Sequence, residues 1–311
     1  MRVSLNVAVG ARAHDGIVAE VRDVGAHGLA GAWWPQLPPV EGMTPWDPLT
    51  SIAASASAAP GIELGTAVLV AGLSHPLALA SAALTTHAVT GGRLTLGLGT
   101  SHAPLVAGVY GEPVDRPLGR LAEFLDVLLP ALDGRVVDAG ARVGRFSAHG
   151  VVDIPVAHGP SVLLAALGPR MLELAGRRTD GTIVTWSGPW TLENHVVPRI
   201  TRAAQAEGRL APKVVTNAIV VVTDDADGLR AESQERFGLA AQLPSYARMF
   251  ELEGVSGPGD AIVAGSEREV EAALRRLLDA GATEILATPL GSDDERQRTL
   301  DLLGALATSD H

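Results

Sequence analysis

Short apolar, β-branched runs alternate with helix-like segments along this 311-residue chain, and that alternation constrains the fold more than any single motif. Candidate strands cover Val3–Val9, Gly31–Trp34, Ile62–Leu69, Leu94–Leu98, Val162–Ala166, Gly181–Thr185, Val214–Val222 and Glu284–Thr288. Eight strands separated by helices predict a parallel sheet closed into an α/β (β/α)8 TIM barrel. A doubly wound Rossmann sheet competes, but Gly97 and Gly99 lack the third glycine of the dinucleotide fingerprint and lie far from the N-terminus. Between Asp133 and Pro160 the pattern lapses into Gly, Val and Arg, which predicts an excursion or small hairpin around residues 133–160. Helix punctuation fits this plan: Ser266 with Glu269 forms a capping-box pattern, Gly281 follows a helix as its C′ glycine, and Thr191 is expected to cap a helix.

Composition bounds the class. At 47% hydrophobic and 19% charged residues the chain reads as one large globular domain over residues 1–311. The absence of cysteine excludes disulfides, thiolate nucleophiles and cysteine-ligated metal, and suits a reducing compartment. MRVSLNVAVG has neither the length nor the cleavage site of a signal peptide, so a cytoplasmic location is expected. The most apolar region, Leu64 to Val89, is interrupted by His75 and Pro76 and reads as a buried strand and helix, not a membrane span. A net charge of −11, with Lys213 the only lysine, argues against nucleic acid as a partner. No G-x-S-x-G elbow, P-loop or H-E-x-x-H is present. Asp224, Asp225 and Asp227 read as a helix start, and the nine histidines lack metal-ligand spacing, so no metal is expected.

The stretch GGRLTLGLGTSH, Gly91 to His102, reads as a helix stop, a buried strand and a glycine-relaxed loop. Leu94, Leu96 and Leu98 alternate with small residues, and Gly97 and Gly99 let a flat ligand approach the backbone. Thr100, Ser101 and His102 then arrive where a parallel strand ends, the face on which α/β folds build their sites. Trp33 and Trp34, Ser74 and His75, and Trp186 follow other predicted strands and would gather on that face. Trp34, His75 and Trp186 are the candidate walls of a pocket for a flat, partly apolar molecule. VLLAALGPRMLELAG, Val162 to Gly176, runs a buried strand into Gly168-Pro169. Proline in a helix's first turn leaves backbone N–H groups free for a phosphate, with Arg170 close by. Each of these features also has an ordinary structural reading, as a βα turn, a core aromatic or a helix start.

The segments GTAVLV, GGRLTLGLGTSH, AALGPRMLELAGRRTDGTI and LPSYARMFELEG resemble the luciferase-like superfamily, in particular its coenzyme F420-dependent oxidoreductase branch. The resemblance runs from end to end and implies a (β/α)8 barrel that holds a deazaflavin at its strand C-termini. By that resemblance, Ala67 and Val68 match a bulge with a non-prolyl cis peptide behind the ring. Gly99, Thr100 and Ser101 match the segment near the ring's polar edge, and Ala166, Leu167, Gly168, Pro169 and Arg170 match the phosphate segment. Two positions depart from the branch: an Asp-His pair is replaced by Pro35-Gln36, and an expected Glu by His102. Gln36 can hydrogen-bond a carbonyl or amide but cannot act as a base, whereas His102 or Tyr110 can donate a proton. This favours reduction, with hydride passing from F420H2 to an electron-poor C=C or C=N bond of a small molecule. An FMN-dependent monooxygenase on the same barrel is the alternative, since FMN also ends in a phosphate. A non-catalytic or non-redox flavin-binding barrel is the alternative from another class. The Gly- and Pro-rich stretch from Thr100 to Leu118 reads as a lid, and the apolar helix Leu118–Leu132 offers a face for a homodimer.

Overall fold

A computed structural model describes residues 1–11, 13–112, 115–139 and 146–308. In chain order the elements begin β1 (Val3–Asn6), α1 (His14–Ala26), β2 (Gly31–Trp34), α2 (Pro48–Ser55), β3 (Glu63–Thr66), β4 (Leu69–Val70), α3 (Pro76–Val89), β5 (Leu94–Gly99), α4 (Ala103–Tyr110) and α5 (Pro117–Leu132). They continue with β6 (Val137–Ala139), β7 (Ala148–Gly150), β8 (Ser161–Ala165), α6 (Pro169–Arg178), β9 (Gly181–Thr185), α7 (Pro189–Thr191), α8 (Val197–Ala206) and β10 (Lys213–Val222). The last are α9 (Ala226–Phe237), α10 (Pro244–Glu253), α11 (Pro258–Ala261), β11 (Val263–Gly265), α12 (Glu267–Asp279), β12 (Glu284–Pro289) and α13 (Asp293–Thr308).

The strands pair in the order β11-β10-β12-β1-β2-β3-β5-β8-β9, and β9 pairs again with β10. The sheet therefore closes through eight parallel strands, a (β/α)8 barrel, with β11 as an appendage to the C-terminal half of β10. β6 and β7 form a separate antiparallel pair, the hairpin expected around residues 133–160; residues 140–145 lie outside the described residues.

Two compact units divide the chain. The first comprises Val7–Arg22 and Trp33–Ala165, and the second Met1–Asn6, Asp23–Ala32 and Ala166 onward. The first unit is built around Trp33, Trp34, Phe124, Leu96 and Leu98, all less than 2% exposed. The Trp33 ring lies so close to Gly65 that a Cβ there would stand 2.4 Å from it. In the second unit α6 packs on α8 at similar range, a Cβ at Gly176 falling 2.4 Å from the Ile200 carbonyl. The Ser266–Glu269 capping box forms, Asp225 caps α9 by accepting from the Gly228 N–H at 2.9 Å, and Gly281 takes a φ of +100°.

Three boundaries differ from the sequence expectation for identifiable reasons. β1 stops at Asn6, because Ala8 adopts a left-handed φ of +65° and its N–H donates to the Glu20 carboxylate at 2.6 Å. The run Ile62–Leu69 is broken into β3 and β4. Gly65 pairs with Thr95 but Leu69 with Leu98, so Thr66, Ala67 and Val68 stand opposite only Leu96 and Gly97. This is a one-residue bulge. The buried Thr66 hydroxyl patches the ladder by donating to the Gly97 carbonyl at 2.8 Å and accepting from its N–H at 2.9 Å. Thr191 does not cap a helix: α7 starts at Pro189, and the Glu253 carboxylate accepts from the N–H groups of Trp190 (3.3 Å) and Thr191 (2.9 Å).

Candidate active site

In the first unit, hydrogen bonds pin the ends of three neighbouring strands together. The Ala67 N–H donates to the Trp34 carbonyl at 2.8 Å, the Val70 N–H to Gln36 Oε1 at 2.7 Å, and the Ala71 N–H to the Gly99 carbonyl at 2.8 Å. The segments 34–36, 67–71 and 99–101 thus form one connected wall. The Ala67–Val68 peptide is cis. Gly99 has no room for a side chain: a Cβ would lie 2.8 Å from Val68 Cγ2 and 3.1 Å from Ala165 Cβ. Glycine here lets the bulge lean onto the end of β5, with Val68 and Ala165 filling the space a side chain would take.

Polar residues leave β5 on a bent backbone. Ser101 adopts a φ of +56°, a conformation rarely taken by a residue with a Cβ and enriched at functional sites. That turn delivers His102 as the N-cap residue of α4, half-buried and without a side-chain capping bond. Burial holds the His102 imidazole below the usual histidine pKa, so the neutral ring dominates at neutral pH. Tyr110 ends α4, half-buried, ahead of the left-handed Gly111. The stretch expected to act as a lid is therefore helical over Ala103–Tyr110, and residues 113–114 lie outside the described residues. A small cavity of about 50 Å³ opens among Val70, Thr100, Val106, Leu121, Phe124 and Phe146. A larger hollow of about 730 Å³ runs from Gln36 and Val70 along the small residues of α2 and α3.

Not every candidate side chain is free for chemistry. Gln36 spends its carbonyl on the Val70 N–H, so its place in the structure is that of a brace between segments. His75 is the N-cap of α3: Nδ1 accepts from the Leu77 N–H at 3.2 Å and Nε2 donates to the Ser147 carbonyl at 3.2 Å. Its ring is exposed and meets Phe146 edge-on. Trp34 is 1% exposed, and its indole N–H has no hydrogen-bond partner among the described residues.

In the second unit, Ala166 to Arg170 turn from β8 into α6. Gly168 is the N-cap, with no side-chain capping bond and nothing within 4 Å of a Cβ built on it. Gly168, Pro169 and Arg170 are exposed. Pro169 carries no N–H, and those of Met171 and Leu172 donate to the Gly168 carbonyl at 3.1 and 3.0 Å, so the donor set suited to a phosphate is the Arg170 N–H, the positive dipole end of α6 and the Arg170 side chain. Sequence reasoning missed His195, whose Nε2 donates to the Leu167 carbonyl at 2.7 Å and so fixes the turn. Trp186 follows β9 with a left-handed φ of +58°. Its ring packs against Phe250 (5.7 Å between centroids), Phe237 (5.9 Å) and Tyr246 (6.5 Å). Burial pushes the Tyr246 hydroxyl pKa up to about 12, so it stays protonated. Among the described residues no group of three or more His, Asp or Glu could hold a metal ion, and no helix is long and apolar enough to cross a membrane.

The histidines make stability pH-dependent. Burial lowers the pKa of His87, where His158 at 5.5 Å between ring centroids adds to the effect; burial also lowers those of His102 and His195. Between those lowered values and the ordinary value near ~6.5, the unfolded chain binds more protons than the folded one, so stability rises with pH across that window. The melting temperature is expected to be lower at about pH 5.5 than at about pH 7.5. Scanning calorimetry of wild type and His87→Gln checks this: the variant should lose part of the difference, and an equal difference in both would remove His87 from the account.

The profile of the luciferase-like monooxygenase family matches residues 4–296. A Mycobacterium tuberculosis (strain H37Rv) protein named as a coenzyme F420-dependent oxidoreductase is 29% identical over 199 residues, 58% of this chain. The match spans 56% of that relative's length, just over half. Among solved structures, the coenzyme F420-dependent tetrahydromethanopterin reductase from Methanopyrus kandleri superposes with a TM-score of 0.76 at 21% identity, covering 98% of each chain. The oxygenating constituent of 3,6-diketocamphane monooxygenase from Pseudomonas putida, in complex with FMN, gives a TM-score of 0.78 at 15% identity, covering 98% of this chain and 96% of that one.

Proposed function

Since the chain belongs to the luciferase-like monooxygenase family, we propose that it is an F420-dependent oxidoreductase, working as a reductase on an electron-poor C=C or C=N bond of a small molecule. The M. tuberculosis relative named for F420 supports the cofactor. The observation that carries the site is Gly99, held bare against Val68 within the pinned wall of strand ends. The residues fit a deazaflavin: Ala67, Val68, Gly99, Thr100 and Ser101 offer a flat, backbone-lined surface for a ring. Ala166, Leu167, Gly168, Pro169 and Arg170 offer an N–H donor and a cation for the phosphate. Bound there, the reduced deazaflavin supplies hydride chemistry at a ring carbon.

The chain's own part is to bind, orient and protonate. His195 donates to the Leu167 carbonyl and so steadies the turn from β8 into α6. Gln36 fixes Val70, and with it the bulge. Pocket residues are proposed for each unit by itself: Trp34 and His75 in the first, His75 through its position at the head of α3, and Trp186 in the second. His102 is the proposed proton donor to the atom beside the carbon that receives hydride, with Tyr110 as the second candidate.

The test is a single-turnover experiment: protein loaded with F420H2 is mixed with a panel of enones, enamides and imines while recovery of the oxidised deazaflavin absorbance is followed. Recovery that depends on both protein and acceptor supports the reading. Recovery that needs only oxygen, or substrate oxygenation with reduced FMN instead, favours the monooxygenase reading that the family's name represents.

A further inference from the structure

The sheet face that carries Asn6 holds two polar clusters. Parallel register sets Val3 beside Ile285 and Leu5 beside Ala287, and places Asn217 beside Leu286. Strand alternation then gathers Ser4, Asn6, Glu284, Thr288 and Asn217 onto one face of β1, β12 and β10. At the N-terminal end the Glu284 carboxylate, 1% exposed, is fully used: Oε1 accepts from the Ser4 hydroxyl at 2.5 Å and Oε2 from Arg2 at 2.7 Å. At the C-terminal end Asn6 Nδ2 donates to Asn217 Oδ1 at 3.0 Å and to Thr288 Oγ1 at 2.8 Å. The Thr288 hydroxyl donates to Asn217 Oδ1 at 3.2 Å. These bonds use both amide hydrogens of Asn6, with Asn217 Oδ1 and Thr288 Oγ1 as their acceptors. Asn6 Oδ1, on a residue 8% exposed, has no partner among the described residues.

A buried carbonyl without a donor weakens a fold, and each one in a native structure calls for an explanation such as a catalytic role or a bound partner. In a (β/α)8 barrel the strand N-termini serve stability and the C-termini serve function. The satisfied and unsatisfied clusters follow that division. We propose that Asn6 Oδ1 is a positioning and specificity-determining acceptor for an N–H or O–H donor on the molecule bound at these strand ends, favouring imide, amide or hydroxyl-bearing substrates. The amide cannot act as an acid or base; its role is orientation, with Asn217 and Thr288 holding it in place. The assignment of the donor to substrate, with F420 as the companion ligand, rests on the reading above.

Maleimide and N-methylmaleimide form a suitable probe pair: they share an electron-poor C=C bond, only the first has an N–H, and the chain has no cysteine for either to alkylate. Binding of each is measured by saturation-transfer NMR, with and without F420, on wild type, Asn6→Leu and Asn6→Ala. Asn6→Ala removes the acceptor without adding bulk, so the result does not depend on one variant folding. The expected result is a preference of about tenfold for maleimide in wild type, falling to none in both variants, with F420 affinity unchanged. A tenfold loss of F420 affinity in the variants, with the imide preference intact, moves the donor to the cofactor ring and overturns the substrate assignment. If neither F420 affinity nor the imide preference changes, including the case where wild type shows no preference, the proposal is wrong. Failure of wild type to bind F420 counts against the cofactor reading alone, because the imides are also measured without it.

Discussion

Replacing His102 by alanine is expected to lower F420H2-dependent turnover by roughly 10²- to 10⁴-fold, the usual worth of a positioned general acid, with little change in F420 affinity. The ring is placed for this by the left-handed Ser101, which carries the chain from β5 to the start of α4. Its lowered pKa, caused by burial, sets the sign of the pH dependence. The imidazolium is the proton-donating form, so turnover should fall as pH rises through a midpoint below the ordinary histidine value. His102→Ala should lose both the rate and that pH limb. A variant that keeps wild-type turnover would move the role to Tyr110, for which Tyr110→Phe is the matching test.

Placing aspartate at Gly168 is expected to separate stability from binding. Gly168 has an extended φ of −77° and open space where a Cβ would stand, so the side chain fits without strain. As an N-cap carboxylate it would satisfy the N–H left free at the start of α6 and complement the helix dipole, stabilising the helix by about 0.5–1 kcal/mol. The same carboxylate would compete for the donors proposed to hold phosphate and would repel it, weakening F420 binding by about 10- to 100-fold. A melting temperature that rises while F420 affinity falls is the expected pair of results, read by calorimetry and fluorescence quenching. A stabilised variant with unchanged affinity would remove this helix start from the cofactor site.

Much of the barrel was legible because its strands are written as β-branched runs such as Val214–Val222, set between helices with recognisable caps. The three-residue β11 is too short to leave a pattern, and α4 is hidden by Pro104 and Gly108, residues that read as loop. The bulge was invisible to alternation, which runs unbroken through Ile62–Leu69; only the resemblance pointed to it. Its cause, the Thr66 hydroxyl standing in for ladder hydrogen bonds of Gly97, links residues 31 positions apart. The same limit applies to His195 on Leu167 and Glu253 on Thr191, 28 and 62 positions apart. His75 does carry a local signal: a polar residue directly before Pro76 at a helix start is an N-cap pattern. Asn6 was hidden inside a predicted strand, where an isolated asparagine gives no hint of which of its atoms will be left unpaired.

We propose that residues 67–68 and 99–101 meet the ring of a deazaflavin and that residues 166–170 bind phosphate. The most direct test is titration of the purified protein with oxidised F420 and, separately, with FMN, following ligand fluorescence and heat. Tight, selective F420 binding that Gly168→Asp weakens is the expected result. Preference for FMN would contradict the deazaflavin assignment in favour of oxygen chemistry, and binding of neither would contradict both redox readings.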